Sequence, residues 1–128
     1  MRAAAHLVLS SALRFYAPLL VLFAFSLLAS WPVNSGVGFV AGAAIGMLLV
    51  LHMLVFGADA FRAAFPPAIA RLFAALGAVV AFVAAALPGG TGAAQAMEGA
   101  LCVTTIGALA LALTVLAGRA PTLRDEDW

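Results

Sequence analysis

Among the ionisable side chains that lie within or beside long apolar runs of this sequence, three are candidates for chemistry: His52, Asp59 and Glu98. Ionisable groups are costly in hydrocarbon, so each one in such a run is a candidate for a functional role. An imidazole titrates near neutral pH and can relay a proton, whereas a carboxylate can attract a cation. These residue types therefore point to the movement of protons and cations.

Each of the three also has a structural interpretation. For His52 we favour a neutral imidazole that is hydrogen bonded to a neighbouring helix, because most buried polar groups are satisfied in this way. Glu98 is expected to open the last apolar helix, where the helix dipole favours a carboxylate, so a capping role and a cation-attracting role are equally supported. Asp59 and Arg62 are spaced as neighbours on a helix and are expected to form a local ion pair.

Other polar side chains extend this set of ion-path candidates. Thr104 and Thr105 follow Glu98 and would continue a polar track, although threonine in a membrane helix commonly bonds its own backbone. Asn34 lies in a predicted loop. The sequence shows no Ser, His, Asp constellation, no cluster of metal ligands and no phosphate-binding glycine loop, so we expect neither an enzyme nor a cofactor.

The composition is that of a membrane protein. Of the 128 residues, 66% are apolar and 9% are charged, and the mean hydropathy is +1.20. A soluble fold of this size could not bury so much apolar surface, whereas a bilayer needs only about 20 apolar residues per crossing. A nucleic-acid partner is not expected, because no basic patch is present. The lone Cys102 cannot form an intramolecular disulfide.

Four apolar segments position these residues. The predicted helices cover about 12–31, 37–58, 68–87 and 97–117, separated by stretches rich in Gly, Pro or polar residues. The first and third connections are short, which forces the helices on either side to run antiparallel. The sequence therefore predicts a single all-α membrane domain over 1–128, with four transmembrane helices packed as antiparallel hairpins.

The arginines predict the orientation of this domain. They occur before or at the start of the first helix, in the middle loop and after the last helix: Arg2, Arg14, Arg62, Arg71, Arg119 and Arg124. Positively charged residues are retained on the cytoplasmic side of a membrane. Both termini and the middle loop are therefore expected in the cytoplasm.

Small residues predict how the helices pack. Gly38, Gly42 and Gly46 fall four apart and form one bare stripe on the second helix, where a neighbouring helix can approach closely in lipid. The third helix carries a similar series at Ala70, Ala74, Ala78 and Ala81. Both stripes are interpreted as packing surfaces, and a passage for a ligand or ion beside the glycines is the alternative for the first.

The order of these features resembles the MnhB family, a membrane subunit of the multisubunit Mrp-type cation/proton antiporters, over nearly the whole chain. The matching stretches are SGVGFVAGA, VFGADAFRAAFP, IARLFAALGAVVAF and MEGALCVTTIGALALALTVLAG. The positions that match family motifs are Gly36, Gly38, Phe39, Gly42, Gly57, Pro66, Arg71, Leu72, Glu98 and Gly107. The His-Asn and Pro that precede the family's glycines are replaced here by Pro32, Val33 and Ser35, and one glycine by Val37.

The resemblance implies an accessory subunit in the cell (inner) membrane of a bacterium. Its partners would be the other antiporter subunits, including large subunits similar to those of respiratory complex I, and the complex would exchange Na+ or K+ for H+. A related subunit of a membrane-bound hydrogenase or another complex I-like assembly remains an alternative. A small homodimeric exporter is less favoured because the first helix lacks a coupling carboxylate. A purely structural anchor is a third class.

Overall fold

The computed structural model describes the backbone of residues 2–30 and 35–124 and the side chains of residues 3–30 and 35–118. This part of the chain is helical, with no strand. The helices are α1 (Arg2–Ser30), α2 (Val37–Phe56), α3 (Ala58–Ala64), α4 (Pro67–Ala86) and α5 (Thr91–Arg124). All but α3 are long and apolar enough to cross a membrane. The expected all-helical fold with four potential membrane spans is confirmed.

Two of the predicted boundaries were too narrow. Helix α1 begins at Arg2 and not near residue 12, because the stretch from Arg2 to Ser11 contains helix-forming Ala and Leu and no Gly or Pro that would end a helix. Helix α5 begins at Thr91, directly after the Pro-Gly-Gly turn, and not near residue 97. Arg14 and Glu98 therefore lie inside their helices, although both were expected at helix starts.

The second predicted helix is divided. Helix α2 ends at Phe56, and Gly57 follows with a φ of 92°, a conformation that few residues other than glycine adopt. The chain then turns into the short helix α3, which ends before the Pro66-Pro67 pair that starts α4. The middle connection is thus a helical segment that packs back onto the bundle.

In space the long helices follow the order α1, α2, α5, α4. Helix α1 packs on α2, α2 packs on α5, and α5 packs on α4. Two hairpins are therefore joined through the α2 and α5 contact. The central position of α5 shows in its burial, since 39% of its most apolar window is buried compared with 11% for α1.

The core contains mainly small side chains. Ala24, Ala41 and Cys102 are buried together, one from each of α1, α2 and α5. Many large apolar side chains, such as Phe82 at 78% exposed, point outward. This pattern suits lipid, where close packing of small residues replaces the hydrophobic force between helices. The largest fully buried side chain in the described part of the chain is Phe61 of α3, which packs beside Ala70, Ala110 and Leu113.

Candidate functional site

The candidate site lies where Glu98 of α5 meets the N-terminus of α2. The backbone N–H of Gly36 donates a hydrogen bond to Oε1 of Glu98 at 3.0 Å, and the N–H of Gly38 donates to Oε2 at 2.6 Å. Glu98 therefore caps α2, whereas the sequence analysis expected it to cap its own helix. The Glu98 side chain is partly buried.

Two glycines make this geometry possible. Gly36 has a left-handed conformation with a φ of 72°, which glycine adopts without steric cost. Gly38 packs directly on the backbone of Glu98, and a Cβ there would clash with the Glu98 carbonyl. A residue with a side chain at position 38 would force α2 and α5 apart.

The Glu98 carboxylate supplies the hydrogen-bond acceptors that the N–H groups at the start of α2 lack. The first N–H groups of a helix have no partner within it, and the capping residue Gly36 has no side chain that could accept a hydrogen bond. A negative charge at a helix N-terminus is also stabilised by the helix dipole. Charge-assisted hydrogen bonds of this kind contribute about 1.5–3 kcal/mol each. The cap therefore fastens α2 to α5.

Below the cap, the predicted glycine stripe packs on α5. A Cβ at Gly42 would lie 2.8 Å from the Cys102 carbonyl oxygen and 2.8 Å from the Thr105 Cβ. At Gly46 a Cβ would instead meet the flexible Leu109 side chain, which can move. The stripe of Gly38, Gly42 and Gly46 thus forms a small-residue seam between α2 and α5, and its tolerance of substitution increases away from Glu98.

A second small-residue seam joins α4 to α5. Gly107 packs on the α4 backbone, where a Cβ would lie 2.5 Å from the Ala74 nitrogen. Gly77 packs on Thr104, and a Cβ at Gly77 would lie 2.8 Å from the Ala100 carbonyl oxygen. The predicted alanine series is correct at Ala70, which is fully buried, but wrong at Ala78, which is exposed. Gly77 takes the place of Ala78 because it faces α5.

The two threonines bond their own helix. The Thr104 hydroxyl donates to the Ala100 carbonyl at 2.8 Å, and the Thr105 hydroxyl donates to the Leu101 carbonyl at 2.7 Å. Both nevertheless lie on the faces of α5 that meet α4 and α2, near Gly77 and Gly42. Their participation in an ion path stays a prediction.

His52 lies one turn from the end of α2, on the half of the bundle that holds the start of α1. Its ring packs on Phe56 with the ring centroids 4.8 Å apart. It lines an open groove together with Arg14 of α1. His52 and Glu98 are therefore near opposite ends of the bundle and do not form one site.

Asp59 and Arg62 occupy the first and last turns of α3. Among the described residues no salt bridge joins them, so the expected ion pair is absent. The Arg62 side chain reaches α5 instead, since a Cβ at Gly118 would lie 3.5 Å from the Arg62 Nη2 atom. Asp59 is exposed.

His6 is a structural residue that the sequence analysis missed. Its Nε2–H donates to the Val55 carbonyl at 3.0 Å and so caps the C-terminal end of α2. The predicted first helix began beyond His6, which placed this residue in a tail. No Gly or Pro stands between His6 and the predicted start of the first helix near residue 12. This absence of a helix breaker was the signal that His6 belongs to α1.

The remaining motif positions have different environments. Pro66 caps α4 and accepts a hydrogen bond from the Ala70 N–H at 3.2 Å. Phe39 and Arg71 are exposed. Asn34 lies outside the described residues. No group of three or more His, Cys, Asp or Glu side chains comes together within the described ranges.

Comparison with known families gives this arrangement its context. A family model described as "Domain related to MnhB subunit of Na+/H+ antiporter" matches residues 8–123, which include Glu98, both seams and all of α2 and α4. No curated protein and no solved structure matches the chain. With its four apolar helices, the chain is a multi-pass membrane protein. The resemblance inferred from the motifs is confirmed, and the chain belongs to the family of domains related to the MnhB subunit of Na+/H+ antiporters.

Proposed function

We propose that this protein is an accessory membrane subunit of a multisubunit Mrp-type antiporter that exchanges Na+ or K+ for H+. It would act with large complex I-like subunits in the bacterial cell membrane, with both termini in the cytoplasm. Its first role is to support assembly of the complex, and its second is to contribute to the cation path. The family match over residues 8–123 is the observation that carries this proposal.

The distribution of acidic residues supports assembly as the main role. Asp59 and Glu98 are the only carboxylates ahead of the acidic tail 125–127. A complete proton path across a membrane needs a series of titratable groups. Since His52 and Glu98 lie near opposite ends of the bundle, the chain is too poor in such groups to conduct protons alone, and larger subunits would provide the path.

The hydrogen bonds of Glu98 also support assembly as the first role and the cation path as the second. Each of its carboxylate oxygens accepts a backbone N–H of α2, so the charge is already used in joining two helices. Each oxygen retains a second lone pair, which leaves a route for a secondary contact with a passing cation. Thr104, Thr105 and Asn34 are the polar groups that would continue such a contact.

The outer surfaces of the bundle support lateral docking. Leu22 and Phe25 of α1 and Val79 and Phe82 of α4 are all more than half exposed. These helices occupy the two outer positions of the row, where lipid and neighbouring subunits are the available partners.

The test is mass spectrometry of the proteins that co-purify with a tagged version of the chain in mild detergent. Large antiporter-type subunits in stoichiometric amounts are the expected result. The tagged Gly38→Leu variant, in which the contact between α2 and α5 is broken, should give a lower yield of these subunits. A lone homodimer would contradict the proposal, and hydrogenase subunits would assign the chain to that related assembly.

A further inference from the structure

An open groove separates α1 from α2 and α3 on the half of the bundle that holds the start of α1. Its volume is about 270 Å³. Its walls are mainly apolar and include Leu13 of α1, Leu49 of α2, and Phe61 and Phe65 at the middle connection. It is separate from Glu98, which lies at the opposite end of α2.

The positive charge of this apolar groove comes from Arg14, and His52 adds a second polar side chain. Arg14 and His52 are the polar residues among those that line it, and none of the lining residues is acidic. Arg14 lies inside the apolar span Ala3–Ser30. A guanidinium at this depth is costly unless it reaches the interface or meets an anion.

Arg14 and His52 both lie on the half of the bundle that holds the start of α1. Side chains on a helix tilt toward its N-terminus, so the Arg14 guanidinium extends toward the start of α1. His52 precedes the last residue of α2, Phe56, by about one turn, which corresponds to roughly 6 Å along the axis. The flexible Arg14 side chain can therefore reach toward the membrane interface, while the apolar walls at Ala17, Leu48 and Leu49 continue toward the middle of the bundle.

We propose that this groove binds one anionic phospholipid. Its phosphate would accept hydrogen bonds from Arg14 and His52, and its acyl chain would lie against Leu13, Leu49 and Phe65. The occupant follows from charge complementarity, because the cavity combines a cationic rim, no acidic lining residue and an apolar wall. This proposal does not depend on the proposed antiporter function.

Native mass spectrometry of the tagged chain, in the assembly with which it purifies, tests this site. Phosphatidylglycerol and phosphatidylcholine with identical acyl chains are the probes, and the readout is the ratio of their apparent Kd values. We expect phosphatidylglycerol to bind about tenfold more tightly, the order of magnitude of a charge-assisted contact that is partly open to solvent. Arg14→Gln should reduce this preference to about twofold or less.

Two further variants make the result specific to the groove. Arg71→Gln removes an exposed arginine of α4 that does not line the groove, and it should leave the preference unchanged. Ala17→Phe places a bulky ring in the groove while keeping Arg14, and it should displace the lipid even if Arg14→Gln fails to fold. Ala29→Phe, at an exposed position of α1, is its size control.

Loss of the preference in Arg14→Gln and loss of bound lipid in Ala17→Phe, with both controls unchanged, would support the site. Equal binding of the two lipids by the unmodified chain, or an equal effect of Arg71→Gln, would overturn it. Binding by the isolated chain that disappears within the assembly would assign the groove to a neighbouring subunit and would also overturn it.

Discussion

The two ends of α2 are capped by different helices with different chemistry. At the N-terminal end, the Glu98 carboxylate of α5 accepts two backbone N–H groups, whereas at the C-terminal end His6 of α1 donates to a single carbonyl, that of Val55. Hydrogen bonds to an ionised group are roughly twice as strong as neutral ones. The caps therefore hold helix α2 more firmly to α5, at the centre of the bundle, than to α1.

The largest expected effect comes from Gly38→Ala, because the new Cβ meets the Glu98 backbone, which cannot move aside as a flexible side chain would. We expect the free energy of unfolding to fall by about 3 kcal/mol or more, the upper range for overpacking. Titration of the purified chain with a denaturing detergent measures this change. Gly99→Ala is the matched control, since nothing lies within 4 Å of a Cβ at Gly99. If Gly38→Ala were as stable as Gly99→Ala, α2 and α5 would not be in close contact at Gly38.

Glu98→Ala is expected to rank second. It leaves two backbone N–H groups at the start of α2 without their acceptor, but the Gly36 N–H is exposed and can bond to water instead. We therefore expect a loss of about 2–3 kcal/mol in the same titration, less than the sum for two charge-assisted bonds. Gln95→Ala removes an exposed polar side chain from the same helix and should change stability by less than about 0.5 kcal/mol. Equal losses in the two variants would mean that the cap contributes nothing specific.

His6→Ala should have a smaller effect, because it removes one hydrogen bond to a carbonyl that lies near the end of α2. We expect a loss of about 1 kcal/mol. Ser10→Ala is the control, since the Ser10 hydroxyl is exposed and donates only to the Leu7 carbonyl of its own helix. If His6→Ala destabilised the chain more than Glu98→Ala, the proposed difference between the two ends of α2 would be reversed.

The smallest expected effect is the coupling between the two caps. Helix α2 has 20 residues and separates the caps by about 30 Å, and changes at that distance usually add within about 0.5 kcal/mol. A double-mutant cycle with Glu98→Ala and His6→Ala measures this coupling. A coupling above about 1 kcal/mol would show that α2 transmits strain between its ends.

Much of this architecture was predictable because lipid imposes simple rules. The number of membrane-spanning helices, the hairpins and the packing role of Gly38 and Gly42 follow from hydropathy, loop length and residue size. Helix ends were less predictable, because the start of α1 and the first turns of α5 are less apolar than the spans that they extend. Hydropathy alone therefore placed Glu98 at the start of a helix.

The partners of the polar groups were not predictable from the sequence. The bonds from Gly36 and Gly38 to Glu98, and from His6 to Val55, join segments that are far apart along the chain. Gly77 could not be distinguished from Ala78 as the contact residue, because which of the two faces α5 depends on how α4 is rotated in the bundle.

The most direct test of the account compares Glu98→Gln with the unmodified protein in two measurements on the same membranes. One is the amount of antiporter complex that co-purifies with the tagged chain, and the other is cation-dependent proton flux per assembled complex. The amide keeps the size of the side chain but removes its charge. We predict fewer assembled complexes with nearly unchanged flux per complex, whereas normal assembly with lost flux would contradict the assembly role and place Glu98 primarily in the ion path.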